Sequence, residues 1–273
     1  MDKNENHWEV QYPDGLIKTI DLFREKYFQY PIFDAVIDNY LKTYCKSKGK
    51  RICSLGSGTG RHEVELARLG YEVIGLERNK ESVEISKKYI DECDVNVEIY
   101  ECDFLKKDEL DQVMSKIGQV DVCLLLLIPI SIQDYSHAAS NMSKWICSGG
   151  VFVADNFDYL EGHNPEGVMF DSNIEVVHSA NDKEDFAVRL NYYEYREKII
   201  NWDAIYLYKK EGVVHMKRDH DILDVVPEHE SNNCLNFNKE EYELLPNYRI
   251  VECEEGLAPP HLYEYIVGRR KRI

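Results

Sequence analysis

The residues best able to do chemistry stand in one run, Ile52-Cys-Ser-Leu-Gly56-Ser-Gly58-Thr-Gly60-Arg61-His62, and in a carboxylate beyond it, Glu77. Glycine has no Cβ, so closely spaced glycines let the backbone bend sharply and let a ligand approach the main chain closely. The run leaves an apolar stretch and enters an amphipathic one, which reads as a turn from strand into helix. Gly56 lies 21 residues before Glu77, which closes the next apolar strand. A carboxylate at that place can accept both hydroxyls of a ribose. The two features together describe a nucleoside-binding end of a sheet; the bare alternatives are a tight turn with no ligand and a solvated strand end. Arg61 fits either a ligand carboxylate or an exposed first helical turn, and His62 the helix surface. Asp155 and Asn156 end a later strand, where sheet ligands gather; a loop cap fits them equally.

Residues so placed need a sheet, and the periodicity provides one. From residue 50 short apolar runs alternate with amphipathic segments, the pattern of a parallel sheet wrapped by helices. Strands are expected over residues 52–55, 72–77, 95–100, 120–127 and 151–155, and helices over 61–69, 80–92, 107–117 and 133–147. Residues 120–128 are apolar apart from Asp121, as for a central strand covered on both faces. After 155 comes a polar loop with Gly162, Pro165 and Gly167, followed by period-two alternation, in which Phe186, Val188, Leu190 and Tyr192 are set against Ala187, Arg189 and Asn191. Residues 205–208 and 213–216 flank Lys209-Lys-Glu-Gly212, a hairpin with Gly at the end of its turn. Upstream, Leu16, Ile20, Phe23, Tyr27 and Phe28 recur at helical spacing until Tyr30-Pro31 breaks the pattern, and a second helix is expected over 33–44. Near the end, Asn238 and Glu241 resemble a capping box opening a short helix, before strands at 249–253 and 263–267.

Composition removes several classes. With 44% hydrophobic residues the chain of 273 is too apolar to be disordered, and it has no apolar run near the roughly 20 residues of a membrane helix. A formal charge of -17 opposes non-specific attraction to nucleic acid or anionic lipid. The first eleven residues carry no secretory pattern, so a cytoplasmic protein is expected. Eight scattered cysteines without a CxxC pair read as reduced core thiols, and nine histidines without HxxxH or HxH spacing give no metal site.

Gly58-Thr-Gly-Arg-His62, Leu66-Ala67-Arg-Leu-Gly70 and Val73-Ile-Gly75-Leu-Glu77 carry a resemblance. In a dinucleotide fingerprint a third glycine would stand where Arg61 is, which disfavours a nicotinamide-dependent oxidoreductase. The segment over residues 50–155 instead resembles the class I S-adenosylmethionine-dependent methyltransferases, in particular their sugar-amine and glycine N-methyltransferase branch. That resemblance implies a seven-stranded, mostly parallel Rossmann-like α/β sheet flanked by helices, with an antiparallel β insertion after the fifth strand. It also implies a helical lid over residues 1–49, a cofactor domain over 50–157 and 238–273, and a substrate-recognising insertion over 158–237. S-adenosyl-L-methionine would be the cofactor and S-adenosyl-L-homocysteine the product. Gly56, Ser57, Gly58, Gly60 and Arg61 would face the amino-acid part of the cofactor, Glu77 with Arg78 the ribose, Asp103 with Phe104 the adenine, and Leu127 the strand-four exit near the sulfonium, with Ile128 next to it.

The chain departs from the family pattern at Ser57, at Glu77-Arg78-Asn79, and at Ile128-Pro-Ile-Ser131, which lacks the Asn/Asp-Pro-Pro-Tyr tetrad of base and glutamine N-methyltransferases. The expected acceptor is therefore a nitrogen or oxygen of a small metabolite, with no nucleic acid and no membrane partner; a homodimer is allowed. Tyr27, Tyr30, Asn156 and Tyr192 are the candidate acceptor residues, and Tyr192, Tyr193, His178 and His215 are candidates, by location only, for the base that a hydroxyl acceptor would need. A catalytically silent cofactor-binding sensor or scaffold would carry the same motifs.

Overall fold

The computed structural model describes residues 37–39, 41–43, 45–47, 50–126, 128, 132–158, 169–178, 186–196, 199–210, 212–224, 242–245, 248–251 and 262–271. Residues 37–39 and 41–43, inside the expected second helix, are helical. The chain then alternates strand and helix through β1 (Arg51–Leu55), α1 (Arg61–Arg68), β2 (Glu72–Glu77), α2 (Lys80–Cys93), β3 (Val97–Glu101), α3 (Lys107–Ile117), β4 (Val120–Leu125), α4 (Ile132–Met142) and β5 (Ile146–Asp158). The antiparallel strands are β6 (Met169–His178), β7 (Phe186–Arg196), β8 (Ile199–Lys210) and β9 (Val213–Asp224), and β10 (Tyr242–Leu244), β11 (Tyr248–Val251) and β12 (Leu262–Arg270) complete the chain.

The main sheet runs β10-β12-β5-β4-β1-β2-β3. Strands β1 to β5 are parallel to their neighbours, and β12 lies antiparallel to β5. Since one edge of β12 takes β5, β10 and β11 share the other, pairing with Gly268–Arg270 and Leu262–Tyr265 in turn. Seven positions across the sheet are thus filled by eight strands, in the Rossmann-like order that the motifs imply. Asn238–Glu241 lie outside the described residues, and strand β10 follows them where the capping-box reading expected a short helix.

The core lies where the apolar runs predict. Cys53, Leu55, Ile74, Leu76, Cys123, Leu125 and Phe152 from the strands meet Leu110, Met114 and Met142 from the helices. On the other side Val64, Val83, Ile90 and Ile99 pack together. The one polar residue of β4, Asp121, is buried yet satisfied: it accepts from the Arg51 N–H at 3.0 Å and lies 3.2 Å from the Cys147 Sγ.

Three boundaries differ from expectation for identifiable reasons. Strand β3 starts at Val97 because α2 continues to Cys93 and closes on Asp94 at φ 52. The helix expected to reach 147 stops at Met142 and tightens into a 3-10 turn, Ser143–Trp145. There Lys144 Nζ and Trp145 Nε1 both donate to the Asp111 carboxylate on α3, at 2.7 and 3.1 Å, which draws the segment off the helical course. Strand β5 then begins at Ile146, five residues earlier than expected, because Gly149 at φ +82 and the close approach of Gly150 to the Asp121 carbonyl let its first turn pair with β4.

The described residues divide into two compact units, Gln29–Gly162 with Val225–Ile273, and His163–Asp224. The second unit is a four-stranded antiparallel sheet ordered β6-β7-β8-β9. Its β8–β9 hairpin pairs Lys210 with Val213 and turns at Gly212, φ +78, so the expected hairpin is present with longer arms.

Candidate cofactor site

Strand β1 ends at Leu55, and the chain then passes Gly56, Gly58 and Gly60, all at positive φ (+67, +56 and +82). Side-chain-bearing residues rarely adopt that conformation, so the glycine spacing encodes this turn. The N–H groups of Gly56 and Ser57 both donate to the Leu76 carbonyl, at 2.7 and 3.1 Å, and so tie the turn to β2. Gly60 caps α1 with its backbone alone.

Glu77 closes β2 with its carboxylate clamped by two backbone amides. The Gly58 N–H donates to Oε2 at 2.9 Å and the Asn79 N–H to Oε1 at 2.7 Å. Asn79 in turn caps α2 by accepting from the Ser82 N–H at 3.0 Å. One helix start and one glycine turn therefore hold the side chain in place. The next strand is registered to it as well, because the Cys102 N–H donates to the Glu77 carbonyl at 2.9 Å. Asp103 follows β3; its Oδ1 accepts from the Leu105 N–H at 3.1 Å, and Lys106 Nζ lies 3.5 Å from its Oδ2. Beside it Phe104 is buried in the core.

Three strand ends converge on Gly56. A Cβ there would stand 2.2 Å from Ile128 Cδ1 and 3.7 Å from Phe104 Cε1, so only glycine lets the ends of β1, β3 and β4 meet. The Ile128 carbonyl is held by the Tyr135 hydroxyl from α4 at 3.1 Å. Gly75, inside β2, belongs to the strand motif that carries the resemblance but has no role assigned by it, although it is as constrained. A Cβ on it would fall 2.5 Å from Ile99 Cδ1 and 2.7 Å from both Ser57 Cβ and Oγ. A glycine inside an apolar strand is itself a sign of such close approach. Ser57 Oγ is buried without a hydrogen-bond partner among the described residues.

The structure thus gathers Gly56, Ser57, Gly58, Gly60, Glu77, Asp103 and Phe104 at the carboxyl ends of β1 to β3. This end of the sheet adjoins the place between β1 and β4 where the strand order reverses, the usual ligand crevice of an open α/β sheet. Arg61 sits at the same end, its guanidinium 4.0 Å over the Tyr89 ring of α2 rather than out in solvent. Arg78 is exposed. Asn156 lies in β5 opposite Glu264 of β12. Tyr192 belongs to the second sheet, exposed on β7. On the opposite face of that strand Tyr193 stacks on Trp202 at 6.3 Å, while His215 of β9 stacks on Tyr208 at 5.5 Å. Leu127, Tyr27 and Tyr30 lie outside the described residues.

A glycine turn, a clamped carboxylate after the second strand and an acid-aromatic pair after the third thus stand together at one end of the sheet. Residues 46–212 match the sequence model of the methyltransferase domain family, and the chain belongs to that family. It is a methyltransferase, with S-adenosylmethionine as the cofactor, and this replaces the nicotinamide-dependent alternative. No curated protein matches it in sequence. Among solved structures it is similar to an S-adenosylmethionine-dependent methyltransferase from Clostridium acetobutylicum, with TM-score 0.68 and 10% identity over 93% of this chain and 98% of that one. A sugar N-methyltransferase from a Streptoalloteichus species aligns at TM-score 0.63 and 16% identity over 96% of each chain. An amino pentose methyltransferase from Micromonospora echinaspora, solved with S-adenosylmethionine bound, aligns at TM-score 0.61 and 14% identity over 92% and 96%. At these identities the likeness is one of fold.

The residues fit the cofactor. The Gly56 position leaves no room for a Cβ, the buried Ser57 hydroxyl has no partner among the described residues, and the two acids are pre-set by backbone donors.

Proposed function

We propose that this methyltransferase modifies a nitrogen or oxygen of a small metabolite, with an amine as the preferred acceptor. Support comes from the fold match to a sugar N-methyltransferase, which extends over 96% of each chain and so takes in the antiparallel insertion as well as the cofactor half. The charge of -17 agrees, since it favours encounter with a cationic amine over a polyanion.

Bound S-adenosylmethionine supplies a methyl group already activated by a sulfonium. What remains for the chain is to hold the nucleoside and to align and desolvate the acceptor. Glu77 with Arg78 would hold the ribose and Asp103 the adenine, with Gly56, Ser57, Gly58, Gly60 and Arg61 around the amino-acid end, Phe104 beside the ring, and Leu127 near the sulfonium. Tyr27, Tyr30, Asn156 and Tyr192 are proposed on the acceptor side. A neutral amine needs only orientation, whereas a hydroxyl also needs a base. The same reading keeps the enzyme in the reducing cytoplasm, in agreement with the six described cysteines, all free thiols.

Two measurements test this. Calorimetry should give S-adenosylmethionine and S-adenosylhomocysteine dissociation constants below about 1 mM, equivalent to about 4 kcal/mol. Incubation with a library of amino sugars, other amines and hydroxylated metabolites should then release S-adenosylhomocysteine with at least one of them. Tight cofactor binding with no turnover across the library would leave a silent binding protein and defeat the proposal.

A further inference from the structure

At the amino ends of the parallel strands β1, β4 and β5, away from the glycine turn, two thiols from distant parts of the sequence meet around one aspartate. Cys147, at the start of β5, donates to Asp121 Oδ1 at 3.2 Å, and Cys45 Sγ lies 3.8 Å from the carbonyl of the same Asp121. The Ser47 hydroxyl serves both sulfurs: it is 3.0 Å from Cys45 Sγ and hydrogen-bonds Cys147 as well. Since one oxygen reaches both, the sulfurs lie within about 7 Å of each other. The backbones that carry them are also in contact. The Lys46 N–H donates to the Gly149 carbonyl at 3.0 Å, and a Cβ on Gly149 would stand 3.4 Å from Lys46 Cβ.

These two thiols are placed differently from the other described cysteines. Cys53, Cys102 and Cys123 are buried in the core, whereas Cys45 and Cys147 are half-buried and within reach of a small solute. Cys93, also half-buried, closes α2 beside Tyr89. The members of the pair differ from each other as well. Burial and the Asp121 carboxylate push the Cys147 thiol up to about 11, so it keeps its proton and rests against a base that can take it. Cys45 meets a neutral carbonyl and a hydroxyl instead. One sulfur is thus set to be oxidised first and the other to answer it.

We infer that Cys45 and Cys147 are a peroxide-responsive thiol pair that closes into a disulfide. Hydrogen peroxide is the oxidant. The Cys45 sulfur attacks one peroxide oxygen, the O–O bond breaks, and the second oxygen leaves as water with the thiol proton, so that Cys45 becomes a sulfenic acid. Cys147 then attacks that sulfur while its proton passes to Asp121. The S–S bond forms, the S–O bond breaks, and the departing hydroxide takes the proton from Asp121 as a second water. Two electrons have moved from the two sulfurs to one peroxide. A disulfide needs Cα atoms about 4.4–6.8 Å apart, the separation of chains in backbone contact. The bridge would tie the helical residues 41–43 to the central sheet, since the Cys45 N–H donates to the Leu41 carbonyl at 2.9 Å and Cys147 belongs to β5. In a reducing compartment such a bond is transient and serves redox sensing. The inference stands on this cluster alone and holds for any acceptor.

The full chain carries eight thiols. Treated with a small excess of hydrogen peroxide it should lose two of them by thiol titration, and dithiothreitol should restore both. Digestion without reductant, followed by mass spectrometry, should give one linked pair of peptides, holding Cys45 and Cys147 and lighter than their sum by two hydrogen atoms. The oxidised chain should also melt several degrees above the reduced one. Cys45→Ser and Cys147→Ser should each abolish the linked pair and the rise in melting temperature. Neither side chain is part of the buried core, so both variants should keep the circular dichroism of the wild type; the peptide map of the wild type decides the matter even where a variant does not fold. A full count of eight thiols after peroxide overturns the inference. A bridge mapped to other cysteines overturns it too, as does sulfinic acid on Cys45 with Cys147 still reduced.

Discussion

Glu77 shows how much of a binding site can rest on one side chain. Its carboxylate accepts from the amides of Gly58 and Asn79, so the glycine turn, the end of β2 and the start of α2 are held by the group that would meet the ribose. A charge-assisted hydrogen bond is worth about 1.5–3 kcal/mol. Glu77→Ala should accordingly weaken S-adenosylmethionine binding roughly tenfold or more by calorimetry, while far-ultraviolet dichroism shows the fold retained. Unchanged affinity would mean that the ribose is held elsewhere. The position of Glu77 beside the glycine turn was readable from its spacing to the glycines, and the placing of Asp103 and Phe104 after the third strand from the family pattern. The clamp was not readable, because it depends on two amides lying on either side of the carboxylate in space.

The secondary-structure elements tell a similar story with a different balance. Residues 72–77 are a strand because they form a short continuous apolar run covered on both faces, and 107–117 a helix because Leu110, Val113, Met114 and Ile117 recur at spacings of three to four. Gly75 marks the limit of that reading, for its neighbours Ile99 and Ser57 come from other elements. Adding a methyl group at 2.5–2.7 Å from both forces the glycine turn away from β2. Gly75→Ala should therefore cost about 1–3 kcal/mol of stability in urea titration, and should weaken cofactor binding at the same time. A stable variant with intact binding would show that the turn adapts freely. The end of α4 was equally hidden: Asp111, whose carboxylate takes both Lys144 and Trp145, is 34 residues from Trp145.

The fold as a whole buries three thiols, Cys53, Cys102 and Cys123, against the central strands. Burial pushes all three up, and nearby Glu109 and Asp103 add to the effect at Cys102, which reaches about 12. The ordinary thiol value is 9.0. A group raised in the folded state contributes stability that is fully present below its unfolded value and is lost as pH rises through the folded one. Between pH 9 and 12 the thermal midpoint should therefore fall, and Cys102→Ala should flatten part of that slope. An identical slope in the variant would place the alkaline loss in other groups. The amino-acid order by itself determined the Rossmann-like alternation, the glycine turn and the antiparallel character of the insertion, because all three follow from backbone freedom and from apolar spacing within a few residues. Only the tertiary structure decided that β10 and β11 share one edge of β12, that Gly56 has Phe104 and Ile128 close against it, and that Cys45 and Cys147 meet around Asp121. Those outcomes depend on contacts between residues far apart in the chain, which local spacing does not encode.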